Sequence, residues 1–369
     1  MSREIRSHAE GRWHHLEAMQ DGEAVSRLSV PDLIIRILGV QIRMGGIGGV
    51  ETEREHRMKG HARRLLEHAV QYMTGLGQDV SMLFGISDFY SKFGFIPCLP
   101  EHCAHVATRD AERAREGLAD YRTRPIAADD HGFIVRLYSE DNRSRPAALV
   151  RDEETFRGFH KGSDYRLRAT GLILEDGQGR RVGYAAFDES QTDVRVTEVN
   201  TVDRRASWTI LYEFAKMGVD RRTGHLELHM AADHPFVRFA RRYGCRLESH
   251  YPRMGAGMMR VLNQDSLFQK LRPALQARLE SSEFAGRSVR LTIETDLGTT
   301  ELHFNGRAGP AASGVVQLGQ DRLMQLVVGY RAADDVLSDL GVRTEGEAEA
   351  LLDAFFGGQS PYVWRADRF

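Results

Sequence analysis

Two periods of apolar residues alternate along the first third of the chain. Glu23–Ser29 and Leu33–Leu38 read as two strands joined by a turn at Val30-Pro31-Asp32, and Val40–Met44 leads into a further strand that ends at Thr52. From Ala62 the period lengthens. Ala62, Leu65, Leu66, Ala69, Val70 and Met73 recur at helical spacing, so one face of a helix is buried. Gly75-Leu76-Gly77 breaks that helix, and the apolar run Val80–Ile86 reads as a strand parallel to the one before it. Ahead of the meander, Met1–Gln20 has room for one helix at most. Leu99–Arg124 is polar and alternates poorly, and Pro125-Ile126 then opens a second folded region.

The turn between the first strand–helix pair carries chemistry. A helix N-terminus leaves about four backbone N–H groups unpaired and about half a positive charge, which suits phosphate. Gly60 lets the backbone approach such a ligand, and Arg57 and Lys59 add charge. The Gly45–Gly49 cluster does not complete G-x-G-x-x-G, and no G-K-[ST] follows any glycine-rich loop.

A repeat sets the architecture. Leu65-Leu66-Glu67-His68-Ala69 is echoed by Leu211-Tyr212-Glu213-Phe214-Ala215, and Phe89-Tyr90-Ser91-Lys92-Phe93-Gly94-Phe95 by Phe239-Ala240-Arg241-Arg242-Tyr243-Gly244-Cys245. The second copy is degenerate. Val199 to Leu211 is three residues shorter than Val50 to Leu65, its turn has no glycine, and Ala240 replaces Tyr90. One live site and one dead one are therefore expected, with the dead copy serving as wall and packing partner. After Asn263 the pattern changes again. Leu267–Leu279 is helical in period despite Pro273, Ser288–Ile293, Thr299–Phe304 and Gly314–Leu318 read as strands, and Gln320–Val328 and Glu345–Phe355 as helices.

Length and charge narrow the function. At about 150 residues per domain, 369 residues suggest two or three domains. A net charge of −2 argues against a general nucleic-acid or membrane-surface binder. Three cysteines give no disulfide framework, and no apolar leader or membrane-length run stands in the sequence, so a cytoplasmic protein is expected. Cys98, His102, Cys103 and His105 offer soft ligands, but no second pair follows at finger spacing and neighbouring strand residues face opposite sides. No metal is expected.

The R-x-x-G-x-A turn at Arg57–Ala62, following G-V-x-T at Gly49–Thr52, resembles the acetyl-CoA pyrophosphate loop of the GCN5-related N-acetyltransferases (GNAT). Phe89–Phe95 is similar to that family's F-Y-x-K-F-G-F segment. The strand-rich, then helical, ending resembles a sterol-carrier-like domain. Together with a final Asp367-Arg368-Phe369, these features resemble the Eis-type (enhanced intracellular survival) family from about Glu23 onward. The resemblance implies an α/β (α+β) chain of tandem GNAT-like domains, mixed sheets flanked by helices, and a sterol-carrier-like α+β domain. It places an N-terminally shortened catalytic domain at 1–122, a degenerate copy at 123–264, and the last domain with a catalytic tail at 265–369.

It further implies acetyl-CoA as cosubstrate, a small polycationic amine acceptor (aminoglycoside, polyamine or basic peptide), and a homo-oligomer, often a hexamer. Tyr90 becomes the general acid and the α-carboxylate of Phe369 the general base. Val50, Glu51, Thr52, Arg57, Met58, Lys59, Gly60, His61, Ala62 and Ser87 become the acetyl-CoA contacts. The chemistry is consistent with those roles. The phenol, at ~10, must protonate a thiolate whose thiol is at ~8.5, uphill by about 1.5 units or ~2 kcal/mol, while a carboxylate at ~3.5 must be desolvated or work through water to act as a base. Backbone N–H near Val50 would meet the oxyanion. Asp21, Glu23, Asp32 and Asp367 are candidates for an acidic acceptor wall. The rival reading is a non-catalytic CoA- or lipid-binding protein with a tunnel lined by Leu291, Ile293, Leu302, Phe304, Leu323 and Leu326.

Overall fold

The computed structural model describes residues 3–86, 88–154, 156, 158–159, 169–189 and 192–369. The expected N-terminal helix is replaced by a hairpin of Arg3–Glu10 (β1) and Trp13–Gln20 (β2), turned at Gly11 with φ +59°. Leu16 and Ala18 are buried two residues apart, which is strand period rather than helix period. The expected turn at Val30-Pro31-Asp32 is also absent, because Glu23–Ile37 (β3) runs unbroken. Its pairs with Val40–Thr52 (β4) lapse between Ser29–Gly48 and Asp32–Gly45, and Pro31, which has no N–H to give, lies in that lapse while staying opposite Trp13 of β2. Likewise β4 is one strand rather than two. His61–Gly75 (α1), Val80–Gly85 (β5) and Ile96–Leu99 (β6) follow in the order the sequence predicts.

The polar stretch after Leu99 hides a strand. Glu101–Ala107 (β7) buries His102, Ala104 and Val106 in strict alternation. Thr108–Ala111 (α2), Tyr121–Pro125 (β8), His131–Asp141 (α3), Ala169–Asp176 (β9), Arg181–Asp188 (β10), Val194–Thr201 (β11) and Ala206–Asp220 (α4) follow. His225–Leu228 (β12), Pro235–Ala240 (α5), Cys245–His250 (β13) and Ala256–Val261 (β14) complete the second region.

Two seven-stranded sheets share one topology. The first runs β1-β2-β3-β4-β5-β14-β6 and the second β8-β9-β10-β11-β12-β7-β13. In each, an antiparallel meander leads to a parallel pair, β4–β5 or β11–β12, and two antiparallel strands close the sheet. The sixth position is exchanged. β14 enters the first sheet and β7 the second, each from the other side of an expected domain boundary. The matched glycines Gly94 and Gly244 both take φ +77°. The repeat read in the sequence is thus a repeat of fold.

The last region packs on the first sheet. It comprises Gln264–Glu280 (α6), Val289–Thr295 (β15), Gly298–Phe304 (β16), Ala312–Gln317 (β17), Gln320–Val328 (α7), Ala333–Leu337 (α8), Arg343–Gly346 (β18) and Ala348–Phe356 (α9). Glu345, expected to start a helix, is in β18, which pairs with β17. The small sheet runs β16-β15-β17-β18. Leu267, Phe268 and Leu271 of α6 share one apolar core with Ile42 and Met44 of β4 and Met259 of β14, while α1 covers a separate core with Leu65, Leu66 and Met73. The six residues expected to line a tunnel all lie in that first core, packed with Phe355 and Leu352. No helix among the described residues is long and apolar enough to cross a membrane.

Candidate active site

The cleft arises where two parallel strands part. Pairing of β4 with β5 ends at Ile47–Leu83, yet β4 continues to Thr52 along β3 and β5 continues to Gly85 along β14. The cause is local. Between the pairs Arg27–Glu51 and Ser29–Gly48, β4 carries one extra residue, and Gly49 there has φ +61°. A bulge with a left-handed glycine bends its strand and adds twist. Backbone N–H and C=O groups of β4 beyond Ile47 are thereby turned out of the ladder with β5, along an edge that an extended ligand arm can pair with.

At the far end of that edge lies the turn into α1. Gly60 is the N-cap, at φ +82°, and Met58 takes φ +61° with its side chain fully exposed. Arg57 Nε donates to the Thr52 carbonyl at 3.1 Å, folding the turn back on the strand end. The Thr52 hydroxyl bonds Ser26, Glu51 pairs with Arg27 at 2.8 Å, and Val50 is half-buried against the α1 core. Lys59 is exposed, Ala62 half-buried, and His61 buried at the helix start, edge-on to His56 at 5.9 Å. Ser87 lies outside the described residues.

Two glycines, one on each parting strand, receive the two groups expected to move protons. The Tyr90 ring lies over Gly85, where an added Cβ would meet it at 2.4 Å. Phe89 packs edge-on at 5.0 Å, burial pushes the Tyr90 phenol up, and its hydroxyl has no protein partner among the described residues. On the other strand, a Cβ at Gly46 would strike the Phe369 ring at 2.4 Å, and one at Gly48 would stand 3.5 Å from the terminal carboxyl carbon. The Phe369 ring also meets Phe84 edge-on at 5.9 Å. Chain ends are usually loose; this one is seated on β4.

A buried ion network seats it. Arg151 Nη1 and Nη2 donate to the two Glu198 oxygens at 2.7 Å each, and Arg151 Nε donates to Asp367 at 2.8 Å. Tyr138 donates to Asp367 at 2.9 Å and its ring lies under the guanidinium at 3.7 Å. Side-chain exposure is 4% for Arg151, 1% for Glu198 and 8% for Asp367. Burial would lower Arg151, but Asp367 and Glu198 overcome it and hold the guanidinium charged, while burial pushes Glu198 up against the pull of Arg151. Nearby, Trp364 Nε1 donates to Asn142 at 2.8 Å, and Arg368 reaches Glu101 at 2.8 Å. Sequence reading missed Arg151 and Glu198. They lie 216 and 169 positions from Asp367, and only a buried-charge pattern in three dimensions joins them.

The remaining expected residues do not gather here. Asp32 is held by Arg43 at 2.8 Å and by Gln78 at 3.0 Å, Asp367 by Arg151, and Asp21, in the turn between β2 and β3, and Glu23, at the start of β3, are exposed. No free acidic wall follows from these four. Cys98 is buried in the core of the first sheet, and His102 and Cys103, adjacent on β7, face opposite sides, so Cys98, His102, Cys103 and His105 do not converge on one point.

Residues 6–98 match the family model of the acetyltransferase (GNAT) domain. No curated protein matches the sequence. Among solved structures, a GCN5-related N-acetyltransferase from Kribbella flavida superposes with a TM-score of 0.69 at 18% identity, covering 96% of this chain and 88% of that one. Another, from Anabaena variabilis, gives 0.72 at 17% identity, covering 96% and 89%. Eis1 from Mycobacterium abscessus gives 0.64 at 13% identity, covering 97% and 90%. The chain thus carries a GNAT acetyltransferase domain at residues 6–98, and along nearly its whole length it has the fold of these structures.

Proposed function

We propose that the chain transfers acetyl from acetyl-CoA to a primary amine of a small polycationic acceptor, such as an aminoglycoside, a polyamine or a basic peptide. The observation that carries this reading is the pair of glycines on the parting strands, Gly85 beneath Tyr90 and Gly48 beside the terminal carboxylate. A thioester laid along β4 from Gly48 to Thr52, with its pyrophosphate at Arg57–Ala62, would place its carbonyl between a phenol and a carboxylate. Tyr90 then protonates the departing thiolate, and the Phe369 carboxylate takes the amine proton directly or through water. Burial raises the phenol, so it stays protonated at neutral pH but the transfer is more uphill than in water. The polycationic acceptor rests on the Eis-type resemblance alone, and a homo-oligomer belongs to the same reading.

The test is calorimetric titration of acetyl-CoA into untagged protein, followed by amine-dependent thiol release. Micromolar binding is expected, lost in Gly60→Trp, with Tyr90→Phe slowing release by about 10- to 10⁴-fold at unchanged affinity. Absence of binding in the wild type would refute the reading, and a wild-type rate in Tyr90→Phe would make that ring a packing residue.

A further inference from the structure

The exchanged strand β7 brings together a second set of chemically capable side chains, independent of the acetyl cleft reading. Cys103 and His105 share one face of β7; Glu227 of β12 stands opposite His105, and Glu248 of β13 opposite Cys103. His225 Nε2 lies 3.7 Å from Glu227 Oε1, and His105 Nε2 lies 3.4 Å from Glu248 Oε2. One ligand atom from each of His105, His225 and Glu227 falls within 4.8 Å of the other two.

His105 is the odd member. Its side chain is only 15% exposed, yet neither ring nitrogen makes a hydrogen bond, and Nε2 has only the Glu248 carboxylate at 3.4 Å beside it. Buried polar atoms are nearly always paired, and an orphan of this kind asks for a water or an ion. The carboxylates are already aimed. Arg195 Nε holds Glu227 Oε2 at 3.2 Å and an Arg246 Nη holds Glu248 Oε1 at 3.1 Å, so each arginine takes one oxygen and leaves the other toward the histidines. Outer partners of this sort orient ligating groups, although their charge also weakens cation binding.

The adjacent trio of Cys103, Glu227 and His229 is less suited. Arg365 lies 3.1 Å from His229 Nδ1 and arginine only donates, so the ring proton sits on Nε2, which gives it to Glu227 Oε2 at 3.0 Å. A metal on that nitrogen would turn Nδ1–H against the guanidinium.

We propose that His105, His225 and Glu227, with Glu248 in reach, bind a divalent transition metal of the zinc kind. Imidazole and carboxylate together suit zinc better than magnesium or calcium. Bound there, the ion ties the exchanged strand β7 to β12 and β13, the two strands that flank it in the second sheet.

The experiment is titration of zinc, and then cobalt, into the metal-stripped full chain at neutral pH. One zinc per chain at micromolar concentration is expected, with cobalt d–d bands but no sulfur-to-cobalt charge-transfer band, and a zinc-dependent rise in Tm. His225→Gln, at a side chain 50% exposed and so safe for folding, should weaken binding about tenfold or more, as should His105→Gln. Cys103→Ser should leave it unchanged. Absence of binding, wild-type affinity in His225→Gln or His105→Gln, or a sulfur band lost in Cys103→Ser would each overturn the assignment.

Discussion

In the first sheet β4 and β5 part after Ile47–Leu83, and the next residue of β4 is Gly48; in the second, β11 and β12 part after Val196–Leu228, and Glu198 stands two residues on. Both strands carry a bulge there, at Gly49–Val50 and at Thr197. The backbone device is the same and the contents are opposite. Gly48 presents bare backbone, whereas Glu198 fills its position with a carboxylate clamped by Arg151 and Tyr184. The chain end spans both, with Asp367 in the second network and Phe369 on the first cleft. The gap in the second sheet thus holds a buried ion network that anchors the tail, and the gap in the first receives the tail's last residue.

That contrast is broken most severely at the anchor. Arg151→Ala leaves two buried carboxylates unpaired, and urea denaturation should show a loss of about 3–5 kcal/mol. A loss below about 1 kcal/mol would mean that the network is not closed in solution. On the cleft side, Gly46→Ala drives a methyl into the Phe369 ring and Pro31, at 2.4 and 2.7 Å. Its expected stability cost is about 1–3 kcal/mol, with amine-dependent thiol release reduced and acetyl-CoA affinity kept; full activity would show that the ring sits elsewhere during turnover.

The pH response gives a milder contrast. His234, at the start of α5, is edge-on to Trp364 of the tail at 5.3 Å, and burial lowers it from 6.5 to about 3. The unfolded chain thus binds a proton between pH 6.5 and 3 that the folded chain refuses. This histidine's contribution to stability is complete above 6.5 and falls as pH drops through that window. Because His234 Nδ1 accepts the Phe236 N–H at 3.3 Å, asparagine is the fitting replacement. Stability measured from pH 7 to 4 should fall less steeply in His234→Asn than in the wild type, and parallel slopes would remove His234 from the acid response.

Much of this was legible in the sequence because it is local. The α1 period, the Gly60 turn, the Phe89–Phe95 segment and the tandem repeat all sit within short windows, and all recur in the structure. What escaped reading is non-local. The β1–β2 hairpin was hidden by polar residues on an exposed edge, where only Leu16 and Ala18 mark the period. The exchange of β7 and β14 leaves no trace in hydrophobic pattern, since a strand alternates equally well in either sheet. Pro31 read as a turn because its neighbour strands were unknown. Arg151, Glu198 and the histidines around Glu227 are joined only by folding, and nothing in their spacing announces it.

In the proposed function the tail is held at Asp367 so that its carboxylate can act at Phe369. The direct measurement compares Asp367→Asn with removal of Phe369 from the untagged chain, each by amine-dependent thiol release and by acetyl-CoA calorimetry. Turnover should fall by about 10²- to 10⁴-fold in the truncated chain and fall with it in Asp367→Asn, while acetyl-CoA affinity is unchanged in both. Wild-type turnover in either variant would contradict the account, because the second copy would then be anchoring a tail that the first does not use.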